Sequence, residues 1–385
     1  MRITYVTETY PPEVNGVALT VARTVQHLRD AGHEVDLVRP RQQHERRGAD
    51  AQQWITHGFP IPMYAELRFG WVRQAAMRAR LQHTQADVVH VATPGPLGRT
   101  AVMAARAQGL PVTVDFRTNF HEYSRYYRLG GLMPLIRHHL RLLAQAADRT
   151  FVPTEALRQT LMAQGFERLE VIGRGVDAQA FSPLWRDDGL RAQWGAQRHT
   201  PVLLYVGRLA AEKNVALALE AWERVRQSQP DARMVVVGDG PMRSSLQRRW
   251  PQACFMGMLR GEALARAYAS ADVFVFPSLS ETFGNVTLEA MASGLCTVAF
   301  DAAAAGVLIE NGRNGCVVPP GDSEAFVNAV CQASLRVDAL SHLRAAACAK
   351  ARLSDWNEVQ RCFAGHLQAV VQQRGVSDAH DTCLV

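Results

Sequence analysis

Arg208 and Lys213 stand five positions apart in the segment Gly207–Asn214, directly after an apolar run at Val202–Val206. Arginine offers a planar fork of N–H donors and lysine a compact, mobile charge, so together they suit a diphosphate. All but two of the 42 basic residues are arginine, and Lys350 is the other lysine. Because lysine is so scarce, its use at position 213 indicates that an ammonium group is required there. The alternative interpretation of the segment is a surface turn with solvated charges.

A second segment, Ser280–Met291, carries two glutamates eight positions apart, Glu281 and Glu289. It follows the apolar run Val273–Phe276 and has Gly284 where the next helical pattern opens. Free backbone N–H groups at a helix N-terminus bind anions, and a carboxylate can accept hydrogen bonds from both hydroxyls of a vicinal diol. The segment therefore predicts a site for phosphate and sugar, although acidic groups at a helix N-terminus also act as simple caps.

Three further motifs are weaker. Asn15-Gly16 precedes a helix from Val17, and a glycine there lets a ligand approach the backbone, but a plain turn explains it equally well. The segment Gly238–Arg243 begins like a dinucleotide fingerprint but has arginine in place of the third glycine, so NAD binding is not expected. His138-His139 has no further ligand at metal-binding spacing, which favours an exposed basic helix and no metal site.

The elements that must position these residues alternate between apolar runs and helical patterns along the whole chain. This alternation predicts an α/β fold of two doubly wound domains, and the continuous apolar runs of the second half predict a parallel sheet covered on both faces. The predicted strands are Ile3–Val6, Val35–Val38, Val88–Val91, Val112–Val114, Thr150–Val152, Val202–Val206, Met234–Val237, Val273–Phe276 and Thr297–Phe300.

The periodicity is weakest at Gly173–Pro183, and we place the linker there. Residues 1–175 then form the first domain and residues 184–365 the second. Residues 366–385 are expected to be a helix end and a polar tail, and a return of this tail to the first domain is one option.

The formal net charge is +6, and the whole surplus lies in residues 1–195, which hold 24 basic and 18 acidic groups. A basic half predicts an anionic partner, which leaves nucleic acid, a phospholipid surface and a phosphorylated ligand open.

With 48% hydrophobic residues and no apolar run of membrane-spanning length, the composition excludes a disordered chain and an integral membrane protein. The seven cysteines form no Cys-x-x-Cys pair, so we expect reduced thiols in a cytoplasmic protein.

In this order along the chain, Gly16, His121, Arg208 with Lys213, and Glu281 with Glu289 resemble the retaining glycosyltransferases of family four. That family has the GT-B architecture, in which two Rossmann-like domains face each other across a cleft. The resemblance covers nearly the whole chain. Further matching segments are Gly175-Val-Asp177, Phe181-Ser-Pro183, Gly238-Asp-Gly-Pro241, Ala292-Ser-Gly294 and Asn314–Asp322. Two others, Glu8–Gly16 and Asp115–His121, look like the branch that contains GDP-mannose-dependent mannosyltransferases and glycolipid glycosyltransferases.

The resemblance implies four catalytic residues. Arg208 and Lys213 would neutralise the leaving diphosphate, Glu281 would hold the donor sugar, and His121 would contact that sugar near the reacting carbon.

The resemblance also implies a set of donor-binding groups. Within it, Glu289 would hold the nucleotide ribose, and Gly16 would place its amide against the diphosphate. The whole set is Gly16, Arg208, Lys213, Glu281, Phe283, Gly284, Asn285 and Glu289, with Phe283, Gly284 and Asn285 acting through their backbone.

The implied reaction moves a hexose, mannose first, from a nucleotide diphosphate sugar to a lipid or glycan acceptor, with no cofactor and no metal. GDP-mannose and the UDP-hexoses are the expected donor substrates. The chain has no Asp-x-Asp metal handle, so cationic side chains and helix dipoles are expected to stabilise the leaving group. Two alternatives remain open: a nucleotide-sugar epimerase or phosphorylase on the same scaffold, and a non-catalytic nucleotide-sugar or nucleic-acid binding protein.

One loop departs from the family pattern. Many relatives carry glycines after the strand that follows the paired-glutamate helix, whereas here Asp301 is followed by four alanines, Ala302–Ala305. The base pocket is expected near Val237–Gly240 and Phe255–Leu259, which offer mostly backbone and apolar surface. These segments do not distinguish guanine from uracil.

Two basic stretches, Arg68–Arg80 and Arg125–Arg149, combine arginine with aromatic and apolar residues such as Trp71 and Leu135. They read either as ordinary amphipathic helices or as helices that dock on an anionic membrane surface. Each cation adds about 1 kcal/mol near anionic lipid. We therefore expect a cytoplasmic protein that docks peripherally on the inner face of the membrane, with a lipid or a membrane-linked glycan as acceptor and no nucleic acid partner.

Overall fold

The computed structural model describes residues 1–13, 16–42, 45, 52–61, 64–116, 133–335 and 340–381. The described chain divides into two compact units. Unit 1 contains the described residues up to 116, residues 133–173 and the residues from Asn357 onward, and unit 2 is Arg174–Trp356. The boundary thus falls next to Gly173, inside the predicted linker, and the chain rejoins unit 1 nine residues before the predicted tail begins at 366.

The described residues of unit 1 form an eight-stranded sheet of order β4-β3-β2-β1-β5-β6-β7-β8. All neighbours run parallel except β3 and β4, which pair antiparallel at one edge. The strands are β1 (Arg2–Val6), β2 (Glu34–Pro40), β3 (Gln53–Ile61), β4 (Tyr64–Trp71), β5 (Val88–Val91), β6 (Val112–Asp115), β7 (Arg149–Val152) and β8 (Leu169–Val171).

Helices lie between most of the consecutive strands of unit 1, as crossovers between parallel strands usually require. They are α1 (Gly16–Asp30), α2 (Gln74–His83), α3 (Pro96–Arg106), α4 (Met133–Ala146) and α5 (Glu155–Ala163). On α1, Val21, Val25 and Leu28 are buried on one face, which is the periodicity that predicted this helix from its sequence.

The described residues of unit 2 form a six-stranded, all-parallel sheet of order β11-β10-β9-β12-β13-β14. Its strands are β9 (Val202–Val206), β10 (Arg233–Val237), β11 (Cys254–Gly257), β12 (Val273–Phe276), β13 (Cys296–Phe300) and β14 (Cys316–Val318). Every residue of β9, β12 and β13 is buried, because helices cover both faces of a parallel sheet.

The helices of unit 2 follow the same alternation with the strands. They are α6 (Asp188–Gln193), α7 (Val215–Ser228), α8 (Arg243–Arg249), α9 (Gly261–Ser270), α10 (Asn285–Ala292), α11 (Ala303–Leu308), α12 (Ser323–Leu335) and α13 (Ser341–Arg352). Short 3-10 turns lie at Pro183–Trp185 and Ala211–Lys213.

A last helix, α14 (Trp356–Asp381), begins at the end of unit 2 and packs on unit 1. Its Phe363 and Leu367 are buried in the unit 1 core beside Phe151. The side-chain amide of Gln360 donates to the Thr24 hydroxyl at 3.0 Å. This helix therefore contributes apolar surface to the first core although it follows the second unit in sequence.

Every strand predicted from the apolar runs is present, with ends that differ by at most two residues. Five strands, β3, β4, β8, β11 and β14, were not predicted from the sequence. Three of these, β8, β11 and β14, are edge strands of three or four residues, and β3 contains His57, Gly58 and Pro60. All four therefore lack a run of β-branched residues.

The interpretation of Arg68–Arg80 as an amphipathic helix was wrong for its first part. Arg68 and Trp71 lie on β4, and only residues from Gln74 onward are helical. The Arg80 guanidinium is engaged by Asp36 at 2.5 Å and is not a free surface cation.

None of the helices in the described ranges is both long and apolar enough to cross a membrane.

Candidate functional site

The strand order of unit 2 reverses between β9 and β12, because β10 and β11 lie to one side of β9 and β12, β13 and β14 to the other. Loops leaving neighbouring strands at such a switch point diverge to opposite faces and open a crevice at the carboxyl end of the sheet. The two loops here are residues 207–214 after β9 and residues 277–284 after β12. These loops carry the two motifs singled out from the sequence.

Lys213 and Glu281 meet across this switch point. The Lys213 ammonium donates to Glu281 Oε1 at 2.5 Å and to the Ser280 carbonyl at 2.7 Å. The two side chains are 13% and 19% exposed, so the pair is shielded from bulk water yet remains open to a ligand. Next to it, Asn214 takes left-handed torsions (φ 50°) and ends the 3-10 turn, so that α7 begins at once.

A second donor holds the Glu281 carboxylate in place. The buried Ser278 hydroxyl lies 2.9 Å from Glu281 Oε1, the same oxygen that accepts from Lys213. The carboxylate is therefore oriented by the protein itself. A sugar hydroxyl bound here would meet a hydrogen-bond acceptor, the Glu281 carboxylate, whose position is already set.

Helix α10 starts at the carboxyl end of β12 and carries Glu289. Gly284, its N-cap, has φ 91°, a left-handed conformation that glycine adopts without strain. Asn285 is the first helical residue, and the buried Phe283 uses its carbonyl to accept from Ala304 N at 2.7 Å. The N-terminal turn of α10 thus opens at the switch point, which is where an anion is stabilised by backbone N–H groups.

Two fully buried tyrosines lie beneath the site. The Tyr268 hydroxyl donates to Glu289 Oε2 at 2.9 Å, and the Tyr205 hydroxyl donates to the Arg208 carbonyl at 3.2 Å. Burial raises the pKa of both phenols well above the usual value of 10, and the charges of Glu289 and Glu281 respectively raise it further. Both hydroxyls are therefore protonated donors at neutral pH.

Arg208 is exposed at the end of β9, and its backbone carbonyl accepts a hydrogen bond from the buried Tyr205 hydroxyl. The loops on either side of it approach closely. A Cβ on Gly238, which has φ 135°, would lie 1.9 Å from the Gly207 carbonyl oxygen. Only glycine allows the ends of β9 and β10 to come this near, and this brings the expected base pocket next to the Arg208 loop.

The loop that departs from the family pattern has a distinct backbone. Ala303, the first residue of α11, has φ 48°, a conformation that favours glycine. Its neighbour Ala304 binds the Phe283 carbonyl, as described above. Ala303 therefore takes a backbone conformation that glycine adopts more readily.

One of the expected site residues, Gly16, belongs to unit 1. Gly16 is the first residue of α1, and a Cβ placed there would meet no atom of the described residues within 4 Å. His121 lies outside the described residues.

Glu8 holds the loop after β1 in place, a role that the sequence motifs did not predict. It follows β1 at the switch point of unit 1, between β1 and β5, and its carboxylate accepts from Gly70 N at 2.5 Å and from Leu97 N at 2.9 Å. Burial raises the pKa of this carboxyl to about 7, against the backbone donors that lower it. Glu8 thus ties the loop that leads to Gly16 to β4 and to the N-terminus of α3.

Within the described ranges, no three His, Cys, Asp or Glu side chains are grouped so that they could hold a metal ion.

Two family models match the chain and together span most of it. The model described as "Glycosyltransferase Family 4" matches residues 14–180, and the one described as "Glycosyl transferases group 1" matches residues 200–334.

Curated relatives extend the likeness over the full length. The chain is 36% identical to a GDP-mannose-dependent alpha-mannosyltransferase of Mycolicibacterium smegmatis, over 98% of this chain and all of the relative. It is 28% identical to an alpha-monoglucosyldiacylglycerol synthase of Streptococcus pneumoniae, over 78% of this chain and 71% of the relative.

Among solved structures, sucrose-phosphate synthase from Thermosynechococcus elongatus is similar, with a TM-score of 0.77. The likeness covers 97% of this chain and all of that chain at 16% sequence identity, and it shows the fold.

Proposed function

Because the chain belongs to glycosyltransferase family 4 and has the GT-B fold, we propose that this hexosyltransferase moves mannose from a nucleotide diphosphate sugar to a lipid or glycan acceptor. The proposed reaction retains the anomeric configuration and uses no metal. One observation carries the proposal: Lys213 and Glu281 meet at 2.5 Å across the switch point of unit 2, beside the helix that bears Glu289.

The charges at this switch point suit a departing diphosphate. Lys213 and Arg208 bring positive charge to the carboxyl end of β9, and the N-terminal turn of α10 adds its backbone N–H groups. In the unliganded protein Glu281 balances the Lys213 ammonium. When the donor binds, we expect Lys213 to exchange this carboxylate for a phosphate oxygen, which frees Glu281 to bind sugar hydroxyls.

Retention fits this arrangement of groups. The acceptor hydroxyl would attack the anomeric carbon from the face that the diphosphate leaves, so one C–O bond forms while the C–O bond to phosphate breaks. A phosphate oxygen would take the acceptor proton. No side chain then has to form a covalent intermediate, and Glu281 acts as a hydrogen-bond acceptor.

Mannose and guanine are favoured on the strength of the M. smegmatis relative, whose name states GDP-mannose dependence. A lipid acceptor is supported by the S. pneumoniae relative, which is named a synthase of a glucosyldiacylglycerol. UDP-hexoses remain the second donor class.

The donor nucleotide can be identified by thermal unfolding in the presence of GDP, UDP or ADP. A nucleotide at about 100 times its Kd stabilises the protein by about 2.7 kcal/mol, which raises Tm by roughly 5–10 °C. We expect GDP to give the largest shift. The product formed from the matching sugar donor then decides the reaction: a glycoside supports the proposal, whereas free epimer or sugar phosphate, or no shift with any of the three, contradicts it.

The proposal extends to a surface on α4 that docks on anionic membrane. Leu135 and Leu142, seven positions apart, are 66% and 47% exposed on one side of this helix. Arg137, His138 and Arg141 are exposed between them. An apolar face edged by cations is the pattern of a helix that lies in a membrane interface, and it would bring unit 1 to a lipid acceptor.

Reversal of two charges on α4, in the double variant Arg137→Glu with Arg141→Glu, is expected to abolish sedimentation with anionic vesicles. The loss of two cations alone removes about 2 kcal/mol, roughly a 30-fold weaker partition. Arg313→Glu with Arg361→Glu is the matched control, since both arginines are exposed and lie outside α4. Equal pelleting of the two double variants, or no pelleting of the wild type, would contradict membrane docking through α4.

A further inference from the structure

Tyr268 lies on α9, one helix away from Glu289, and none of its side chain is exposed. Its hydroxyl donates to Glu289 Oε2 at 2.9 Å. A buried tyrosine hydroxyl needs a partner, and here the partner is a carboxylate that stands at the candidate donor site. This hydrogen bond therefore links Tyr268, which no ligand can reach, to Glu289, which a ligand can reach.

The Tyr268 ring is held on two sides. Phe181 packs edge-on against it, with ring centroids 5.7 Å apart and an interplanar angle of 83°. Phe274 of β12 lies 5.8 Å from it, centroid to centroid. Because the ring is packed in the core of unit 2, its hydroxyl is a fixed point, and the Glu289 carboxylate is aligned to it.

The protonation state of the Tyr268 phenol is equally defined. Burial, followed by the negative charge of Glu289, keeps the Tyr268 pKa well above 10. The phenol therefore acts as the donor and the carboxylate as the acceptor. A hydrogen bond to an ionised group is stronger than one between neutral groups, so it restricts the rotamers of Glu289 effectively.

We propose that Tyr268 is a positioning residue, which orients the Glu289 carboxylate to accept hydrogen bonds from the vicinal hydroxyls of the donor ribose. This inference rests on the proposed function, in which Glu289 binds that ribose. Tyr268 touches neither the sugar nor the diphosphate and acts only through Glu289.

The ribose is remote from the bond that breaks, so its contacts are equally strong in the ground state and in the transition state. Such uniform binding sets KM and leaves kcat unchanged. Removal of the Tyr268 hydroxyl should therefore raise the donor KM without slowing the chemical step. One hydrogen bond to a carboxylate corresponds to roughly a tenfold change.

The test is Tyr268→Phe, which removes one oxygen and keeps the ring that packs on Phe181. We expect the donor KM, and the Kd of GDP or UDP by calorimetry, to rise roughly tenfold, with kcat within about twofold of wild type. Tyr5→Phe is the matched control, because Tyr5 is also fully buried but lies in the core of unit 1. This control should leave nucleotide affinity unchanged.

Two further measurements separate positioning from a general loss of structure. The Kd of a 2′,3′-dideoxynucleotide, which lacks the vicinal hydroxyls, should be the same for Tyr268→Phe and wild type. In a Glu289→Ala background, Tyr268→Phe should cause no additional loss of affinity.

An unchanged Kd for GDP and UDP in Tyr268→Phe, with the wild type binding either nucleotide, overturns the positioning role and leaves the proposed function standing. An equal loss of affinity for the nucleotide and its dideoxy form also overturns it. If the wild type binds no nucleoside diphosphate, the proposed function fails and the role of Tyr268 fails with it.

Discussion

Replacement of Lys213 by alanine is expected to slow sugar transfer by about 10²–10³-fold, the usual cost of removing one group that stabilises developing charge. The ammonium sits 2.5 Å from Glu281 Oε1 and 2.7 Å from the Ser280 carbonyl, at the carboxyl end of the sheet. Without it, a departing diphosphate would meet the Glu281 carboxylate with no intervening cation, and two negative charges would repel each other. Initial rates at varied donor concentration should show a lower kcat and a higher donor KM.

The chain supplies an internal control for this experiment, because it has two lysines in all. Lys350 on α13 lies 3.7 Å from Glu310, an exposed surface pair. Lys350→Ala should keep wild-type kinetics, and both variants should keep the wild-type circular dichroism spectrum. Lys213→Ala with an undiminished kcat/KM would show that the donor diphosphate binds elsewhere.

The sequence was sufficient to predict that both motifs lie in loops that follow buried strands. Arg208, Lys213, Glu281 and Glu289 each follow an apolar run, and such runs form the buried parallel strands β9 and β12. Since parallel strands end at the same edge, both motifs had to lie at one edge of the sheet. The ion pair between Lys213 and Glu281 could not be predicted in this way, because it depends on β9 and β12 being neighbours, and strand order is a property of the folded sheet.

Side chains whose role depends on burial and on distant partners could not be recognised from the sequence. Tyr268 looks like one more core residue of an amphipathic helix, and Ser278 like a loop serine. Their roles arise from carboxylates that reach them from other parts of the chain, Glu289 and Glu281 respectively. Glu8 is a similar case, since the two backbone N–H groups that donate to its carboxylate are more than sixty residues away in sequence.

Local charge patterns predicted a basic surface wrongly where the arginines have partners elsewhere in the folded unit. Arg68 donates to the Gly58 carbonyl at 3.1 Å within the β3–β4 hairpin, and Arg80 binds Asp36 of β2. A dense run of arginines therefore reads as a basic surface although these two have partners within unit 1. On α4, by contrast, Arg137 and Arg141 are exposed, so the charge pattern there describes a real surface.

The largest expected loss of stability comes from Asp272, at the start of β12. Its side chain is 2% exposed, and Oδ2 accepts from Arg191 at 3.1 Å and from Val202 N at 3.0 Å. Oδ1 accepts from Arg186 at 3.1 Å, and Arg344 lies 3.8 Å from it. One carboxylate thus balances three guanidinium groups and also closes the backbone at the start of β9.

Asp272→Asn keeps the volume of the side chain but removes its charge. Arg191 is 1% exposed and cannot turn to water, so it would remain buried without a counter-ion. Breaking a buried pair from one side costs about 3–5 kcal/mol, which corresponds to a fall in Tm on the order of 10 °C for a unit of this size. Urea unfolding followed by tryptophan fluorescence measures the loss directly.

Glu310→Gln provides the comparison, because it removes a carboxylate from an exposed pair with Arg313, whose side chain is 76% exposed. Surface pairs contribute less than about 1 kcal/mol, so this variant should unfold near the wild-type urea midpoint. If Asp272→Asn unfolded at that same midpoint, water would have to reach the Arg191 guanidinium, and the Asp272 cluster would not be the dry electrostatic core that its burial indicates. A fall in the midpoint for Asp272→Asn alone would instead show that the folded protein depends on this one buried charge, which directly precedes β12, the strand that leads into the Glu281 loop.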